Sequence, residues 1–261
     1  MTNPDTFGWD TVFAISIDRV NVALSTVPES PPYSHTQPVT GGSSTVDWSF
    51  TNWRITGTPG GNQIVVTMDF GPGSQMTSTG SGTSPLVALD APQWSCEVTF
   101  RAHFDATDPT THKLRAITAG GEQWTEAILV KPGDPAAGFA DVSVLQSVID
   151  DWFNSSEEAV QLFQQEFASV DVGSDVGSAS LAWLRPRRLG YAGAVMADGV
   201  TRAMGILAMT TDTSPAAATL ELSPYAMLPN AAAGYVVSRE LVMRNMVLPA
   251  CQHAFSEDGS S

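Results

Sequence analysis

Trp94-Ser-Cys-Glu-Val-Thr-Phe-Arg-Ala-His-Phe104 decides the fold, because Trp94, Cys96, Val98, Phe100, Ala102 and Phe104 alternate with polar neighbours through the whole run. A period of two turns one face of a strand to a core and the other to water. At about 3.3 Å per residue such a strand exceeds ~30 Å, so its sheet is expected to be long and strongly coiled. The alternation recurs upstream in Ile64, Val66, Met68 and Phe70 and in Val46, Trp48 and Phe50, which read as half-buried antiparallel strands. Between them, the glycine-rich Gly71–Ser84 reads as a mobile connector. Residues 28–44, crowded with Pro28, Pro31, Pro32, Pro38, Gly41 and Gly42, read as an exposed flexible loop.

Towards the N-terminus, Trp9–Ile15 reads as a short strand, followed by Ser16 as the N-cap of a helix with Ile17, Val20 and Leu24 on one stripe. Downstream the period turns helical over Asp141–Ala168. Val144, Leu145, Val148, Ile149 and Trp152 form a stripe that Asn154 and Ser155 interrupt and Val160, Phe163 and Phe167 resume. Strand patterns return in Leu181–Leu184, Leu189–Met196, Ala203–Thr211 and Thr219–Leu222. Ser238 then caps a last helix carrying Leu241, Val242, Met246 and Leu248, which Pro249 is expected to bend or end. Strands in a block, an amphipathic helix, strands again and a terminal helix predict an α+β roll, a highly curved antiparallel sheet wrapped around long helices, and not βαβ winding. One domain over residues 1–261 is expected, with 256–261 as a disordered tail.

Composition narrows the function. Twelve basic and 27 acidic residues among 261 leave a net charge of −15, spread evenly along the chain, which repels a phosphate backbone and excludes nucleic acid as a partner. Cys96 and Cys251 have neither metal spacing nor the density of a disulfide scaffold. No apolar run is long enough for a transmembrane segment, and no basic stretch leads into an apolar run at the start, so a cytoplasmic protein, or one exported without a Sec-type signal, is expected.

Chemistry-bearing motifs are sparse. His103, Asp105, Asp108 and His112 are ligand types in one short segment, but their spacing fits no EF-hand or zinc pattern, and Asp108-Pro109 reads as a turn. There is no G-x-S-x-G elbow, C-x-x-C pair or phosphate-binding glycine loop, so no catalytic residue, metal or cofactor is assigned. Glu157 and Glu158 suit a helix N-terminus, and Asp150 and Asp151 a solvated helix face. Arg185, Arg187 and Arg188 stand out in so acidic a chain, as partners for a lipid headgroup or an acidic protein, or as neutralisers of nearby carboxylates.

Phe7-Gly-Trp-Asp-Thr-Val-Phe-Ala and Ile17-Asp-Arg-Val-Asn resemble the start of the clostridial P47 proteins and their OrfX2 relatives, encoded beside botulinum neurotoxins and other toxin loci. Three further stretches are similar: Phe163-Gln-Gln-Glu-Phe-Ala-Ser-Val-Asp-Val, Leu181-Ala-Trp-Leu-Arg-Pro-Arg-Arg-Leu-Gly-Tyr-Ala and Ser238-Arg-Glu-Leu-Val-Met-Arg-Asn-Met-Val-Leu-Pro. None is a catalytic motif, and the family's proteins are longer. The resemblance implies a tubular lipid-binding (TULIP) fold, in which long helices lie in a curled sheet and the apolar seam can hold a lipid. On that reading Leu145, Ile149, Trp152, Phe163, Phe167, Leu241, Met246 and Leu248 line the seam.

The expected function is non-enzymatic binding of a lipid or other hydrophobic molecule, in a setting with other proteins of a toxin-type complex. Two alternatives stay open: an interaction module with a closed core and no ligand, and a cyclase-like enzyme that shapes a hydrophobic substrate in an apolar cavity.

Overall fold

The computed structural model describes residues 4–57, 61–90, 94–108, 110–117, 125–133, 138–163, 168–171, 182–211 and 219–256. The chain opens with β1 (Thr11–Ser16) and α1 (Ile17–Leu24), and then runs through β2 (Tyr33–Val39), β3 (Gly42–Trp48), β4 (Phe50–Ile55), β5 (Gln63–Phe70), β6 (Gln75–Ser78) and β7 (Leu86–Ala88). The long β8 (Ser95–Asp105) is followed by β9 (Thr111–Ala116), β10 (Thr125–Lys131), α2 (Phe139–Ser155), α3 (Glu157–Phe163) and β11 (Ala168–Asp171). Last come β12 (Arg188–Val195), β13 (Arg202–Met209), β14 (Ala233–Val237), α4 (Arg239–Val242) and α5 (Leu248–Ser256).

Every pairing among the described strands is antiparallel. One sheet runs β12-β13-β1-β14, a second β11-β9-β8-β5-β4 with β10 also on β8, and a third β2-β3-β6-β7. The expected long strand organises the second sheet: β5 lies along one edge of β8, while β9 and β10 share the other, one after the other. Its alternation is buried as read, with Trp94, Cys96, Val98, Phe100 and Ala102 inside. The first sheet joins the two ends of the chain, since β1 sits between β13 and β14.

α2 lies inside this curled wall, touching β10 on one side and β2 and β3 on the other. Polar side chains fix it there. Asp141 in its first turn accepts from Ser84 N and Ser84 Oγ, both at 2.8 Å, and His35 Nε2 on β2 meets Asp151 Oδ2 at 2.7 Å. Gln146 supplies what a neighbouring strand would give β10: Oε1 accepts from Val130 N at 2.7 Å, and Nε2 donates to Ile128 O at 3.0 Å. Asn21 of α1 does the same at Ile55 of β4, accepting from its N–H at 2.7 Å and donating to its carbonyl at 3.0 Å. Helix amides thus occupy strand edges that would otherwise be left open.

Both predicted caps form: Ser16 Oγ accepts from Arg19 N at 3.4 Å and Ser238 Oγ from Leu241 N at 3.3 Å. Several expectations are corrected. Residues 28–44 are not one loop, because Tyr33–Val39 and Gly42–Trp48 pair as a hairpin around the tight turn at Gly41, φ 80°; Pro38 lies in β2, which has a partner on one side only and so tolerates a missing donor. Within Gly71–Ser84, Gln75–Ser78 pairs with β3 and is a strand. Residues 182–184 form a 3-10 turn, and residues 219–222 form no strand. Pro249 does not end the last helix: a π-helical turn at Met243–Val247 precedes it, shifting the hydrogen-bond ladder where the proline ring would meet the carbonyl four residues back.

The β12–β13 connection carries a pH dependence. Asp198 accepts from Val200 N at 2.9 Å, Thr201 N at 2.8 Å and Thr201 Oγ1 at 2.5 Å. The Thr201 hydroxyl, and then the two backbone N–H groups, hold its carboxyl below the usual aspartate range. A depressed folded value means stabilisation that is complete above the unfolded pKa of about 3.9 and fades as pH falls through the folded value. In urea unfolding, Asp198→Ala is therefore expected to be less stable than the parent at pH 7, with the gap shrinking below about pH 4; a gap independent of pH contradicts this.

Candidate functional site

The helix stripe is packed shut. Leu145, Ile149, Trp152 and Phe163 are all at most 1% exposed. Trp152 lies 4.8 Å from Tyr33, 4.9 Å from Phe153 and 5.0 Å, edge-on, from Trp48, and Phe163 lies 5.2 Å from Phe100 and 5.7 Å from Trp53. The rings fill the inside of the curled sheet with one another. Three of them, Trp48, Trp53 and Trp152, bury an indole N–H with no hydrogen-bond partner, which is uncommon for buried tryptophan. Phe167 lies outside the described residues. The last helix is different: Leu241 is buried, but Met246 is 55% and Leu248 53% exposed.

An open apolar surface does occur, on the β12-β13-β1-β14 sheet. Both faces of this sheet are apolar, because β13 (Arg202-Ala-Met-Gly-Ile-Leu-Ala-Met) hardly alternates. One face, with Val12, Ala14, Ala203 and Leu207, is roofed by Trp9, Leu222, Ala226 and Met227. Glycines make the close approach possible: a Cβ on Gly190 would meet the Trp9 ring at 2.8 Å, and one on Gly205 would meet Leu222 at 2.7 Å. The opposite face begins in the main core at Ile15, Tyr191 and Met204. It then runs out to Phe13, Ile206 and Tyr235, which lie side by side in register on β1, β13 and β14. With Thr11, Ala208, Leu189, Pro186 and the β11 residues Ser169 and Val170, they form a groove of about 340 Å³. Phe13 is 37% and Tyr235 54% exposed.

The arginine cluster adjoins this groove. Pro186, in its lining, is flanked by the exposed Arg185, Arg187 and Arg188, and Arg187 N donates to Met209 O at 2.7 Å, tying the segment to the end of β13. Tyr191 follows Leu189 on the same face of β12. Burial pushes its phenol well above the ordinary tyrosine value, and its hydroxyl has no hydrogen-bond partner. The site therefore combines an apolar floor, a phenol without a partner behind it and three guanidinium-bearing residues beside it. It has shape and charge for holding an apolar molecule with a polar end.

The segment with His103, Asp105, Asp108 and His112 serves turns and pairing. Asp105 Oδ1 accepts from Thr107 N at 3.0 Å and Asp108 Oδ1 from Thr110 N at 2.7 Å, as the turn reading expects. Among the described residues no group of three or more His, Cys, Asp or Glu could hold a metal, and no helix is long and apolar enough to cross a membrane.

Comparison with known proteins bears on the fold. The sequence profile described as OrfX-like, Protein OrfX2/OrfX3/P47, matches residues 6–260. Among solved structures, P47 from Clostridium botulinum A2 superposes with a TM-score of 0.69 at 17% identity, covering 94% of this chain and 55% of that one. P47 of Clostridium botulinum E1 gives 0.67 at 18% identity, covering 95% and 55%. The chain thus spans about 55% of the length of these relatives. A search of curated proteins returns no match.

Proposed function

The chain belongs to the OrfX-like family of OrfX2, OrfX3 and P47 proteins, and from that premise we propose that it is a non-enzymatic protein that binds a lipid or similar hydrophobic molecule in the groove of β1, β12, β13 and β14. The observation that carries this reading is the continuous apolar face from Tyr191 through Ile206 to Phe13 and Tyr235, open at one end and flanked by Arg185, Arg187 and Arg188. A volume of about 340 Å³ suits a single acyl chain or a small apolar molecule. Ten buried methylenes contribute about 8 kcal/mol before ordering costs, so micromolar affinity needs the polar end of the ligand to add to the apolar contact. The arginines favour an anionic headgroup. A place beside other proteins of a toxin-associated gene cluster is part of the same proposal.

Titration of detergent-free protein with a fluorescent fatty acid is expected to saturate in the micromolar range, with one added ligand mass in native mass spectrometry. Phe13→Asp, which sets a carboxylate in the groove at a partly exposed position, is expected to weaken binding by more than about tenfold. Arg188→Ala should weaken binding of the acid more than that of the matching alcohol. A flat titration and a bare mass overturn the proposal. The second reading, an interaction module with no ligand, is favoured by the closed helix seam and the exposed Met243, Met246, Val247 and Leu248. A partner captured at low salt and lost at high salt, without ligand binding, would select it.

A further inference from the structure

The strand edges of this molecule are protected unequally. Asn21 covers β4 and Gln146 covers β10, and Pro38 removes a donor from β2. β14 (Ala233-Gly-Tyr-Val-Val) has β1 on one side, no described strand on the other, and neither a proline nor a charge of its own. Its register identifies the free backbone groups. Ser16 N donates to Ala232 O and Ser238 N to Asp10 O, so by the antiparallel alternation Gly234 and Val236 bond inward to Ala14 and Val12. The N–H and C=O groups of Ala233, Tyr235 and Val237 therefore point outward, away from β1.

Apolar surface continues from this edge in two directions. On the groove face the exposed Tyr235 stands beside Phe13. Beyond Ser238 the terminal helix is anchored by the buried Leu241 and then exposes Met243, Met246, Val247 and Leu248, and residues 250–254 are exposed as well. Leu228, shortly before β14, is also exposed. Charge favours a like partner here. In a chain of net charge −15, residues 222–254 contain one acid, Glu240, and two arginines, Arg239 and Arg244. Glu240 is itself paired with Arg244 at 2.6 Å, so this edge escapes the self-repulsion expected of the rest of the surface.

We propose that β14 pairs antiparallel with β14 of a second copy of this chain, about a two-fold axis at Tyr235. The free groups are spaced for it: Tyr235 exchanges both backbone bonds with its own counterpart, and Ala233 does so with Val237, so every outward donor meets an outward acceptor. The antiparallel course also sets the terminal helix of one copy beside Leu228 and the residues preceding β14 in the other. A strand of five residues is too short to supply the roughly 800 Å² per partner that a stable dimer buries. A helix about 27 Å long and about 10 Å across, with Tyr235 and Leu228, brings the patch to that scale. The second copy completes the groove as well, because its Tyr235 extends the row of Ile206, Phe13 and Tyr235. The pairing rests on the strand edge and the helix, and holds whether or not the groove takes a ligand.

In analytical ultracentrifugation, ligand-free protein is expected to show a concentration-dependent monomer–dimer equilibrium. Ala233→Pro removes one outward N–H and no bond to β1, and Leu248→Glu sets a charge on the terminal helix; each should raise the dimer dissociation constant at least about tenfold. Leu248 is exposed, so its variant keeps the test valid if Ala233→Pro folds poorly. Residues facing each other in a hydrogen-bonded antiparallel pair have Cα atoms about 5.5 Å apart, within reach of a disulfide. Tyr235→Cys in a Cys251→Ser background is therefore expected to form a covalent dimer in oxidising glutathione. A chain that stays monomeric at every concentration, a dimer undiminished in both variants, or a dimer that does not cross-link at position 235 overturns the proposal.

Discussion

Trp152→Ala is expected to destabilise the protein by about 3–5 kcal/mol, the range for a large aromatic removed from a packed core. At about 2–4 °C per kcal/mol for a chain of this size, the melting temperature should fall by roughly 10 °C. Trp152 is the contact shared by α2, β2 and β3: its ring meets Tyr33 at 4.8 Å and Trp48 at 5.0 Å, and it meets Phe153 of its own helix edge-on at 4.9 Å. Truncation opens a hole that the surrounding rings, each pinned by the others, are poorly placed to fill. Trp152→Phe should cost much less, because the smaller cavity is partly offset by removal of a buried indole N–H that has no acceptor. Scanning calorimetry of the two variants decides the matter; an alanine variant melting within 1–2 °C of the parent would mean that the ring cluster does not hold helix and sheet together.

Gly234→Ala is the second large effect. A Cβ at this position would stand 2.0 Å from Ala226 O and 3.0 Å from Ala226 C, and both are backbone atoms that no rotamer change can move. Residues 223–231 must then lift from β14, uncovering Val12, Ala14 and Leu207 beneath the roof of Ala226 and Met227. A loss at or above the upper end of the overpacking range, about 3 kcal/mol, is expected. Increased binding of an apolar dye and faster proteolysis within residues 219–231 should accompany it. The aromatic core around Trp152 is a separate cluster, so its near-ultraviolet signature should persist; unchanged stability and proteolysis would show that the roof yields without cost.

What was legible in the residues was periodicity and capping. The alternation of Trp94 to Ala102, and of Ile64 to Phe70, is buried on the predicted face because a strand has only two faces and water occupies one of them. Ser16 and Ser238 cap because their hydroxyls satisfy helix N–H groups from the adjacent turn. Misreadings fell where glycine and proline stood for loops. Pro38 and Gly42 are in strands, since an edge strand tolerates a missing donor and a hairpin needs a tight turn.

The helix stripe of Leu145, Ile149, Trp152 and Phe163 is buried, as its periodicity requires, but an apolar stripe looks the same whether it faces a ligand or another ring. Met246 and Leu248, on the same kind of stripe, are exposed instead. The groove had one sequence signal: β13 runs apolar on both faces, and a strand without alternation belongs to a sheet covered, or coverable, on both sides.

By itself, the sequence determined the α+β class, the long antiparallel strand, the caps and the core-facing side of the alternating strands and of the Leu145–Trp152 stripe, because these follow from local periodicity and short-range hydrogen bonding. Only the tertiary structure decided that the inside of the curled sheet is filled by its own tryptophans, that β1 completes a sheet with β13 and β14, and that Phe13, Ile206 and Tyr235 share an open groove. Those outcomes depend on contacts between residues far apart in sequence, such as Trp48 with Trp152 and Phe13 with Ile206 and Tyr235, and a local pattern carries no information about which distant surface will cover it.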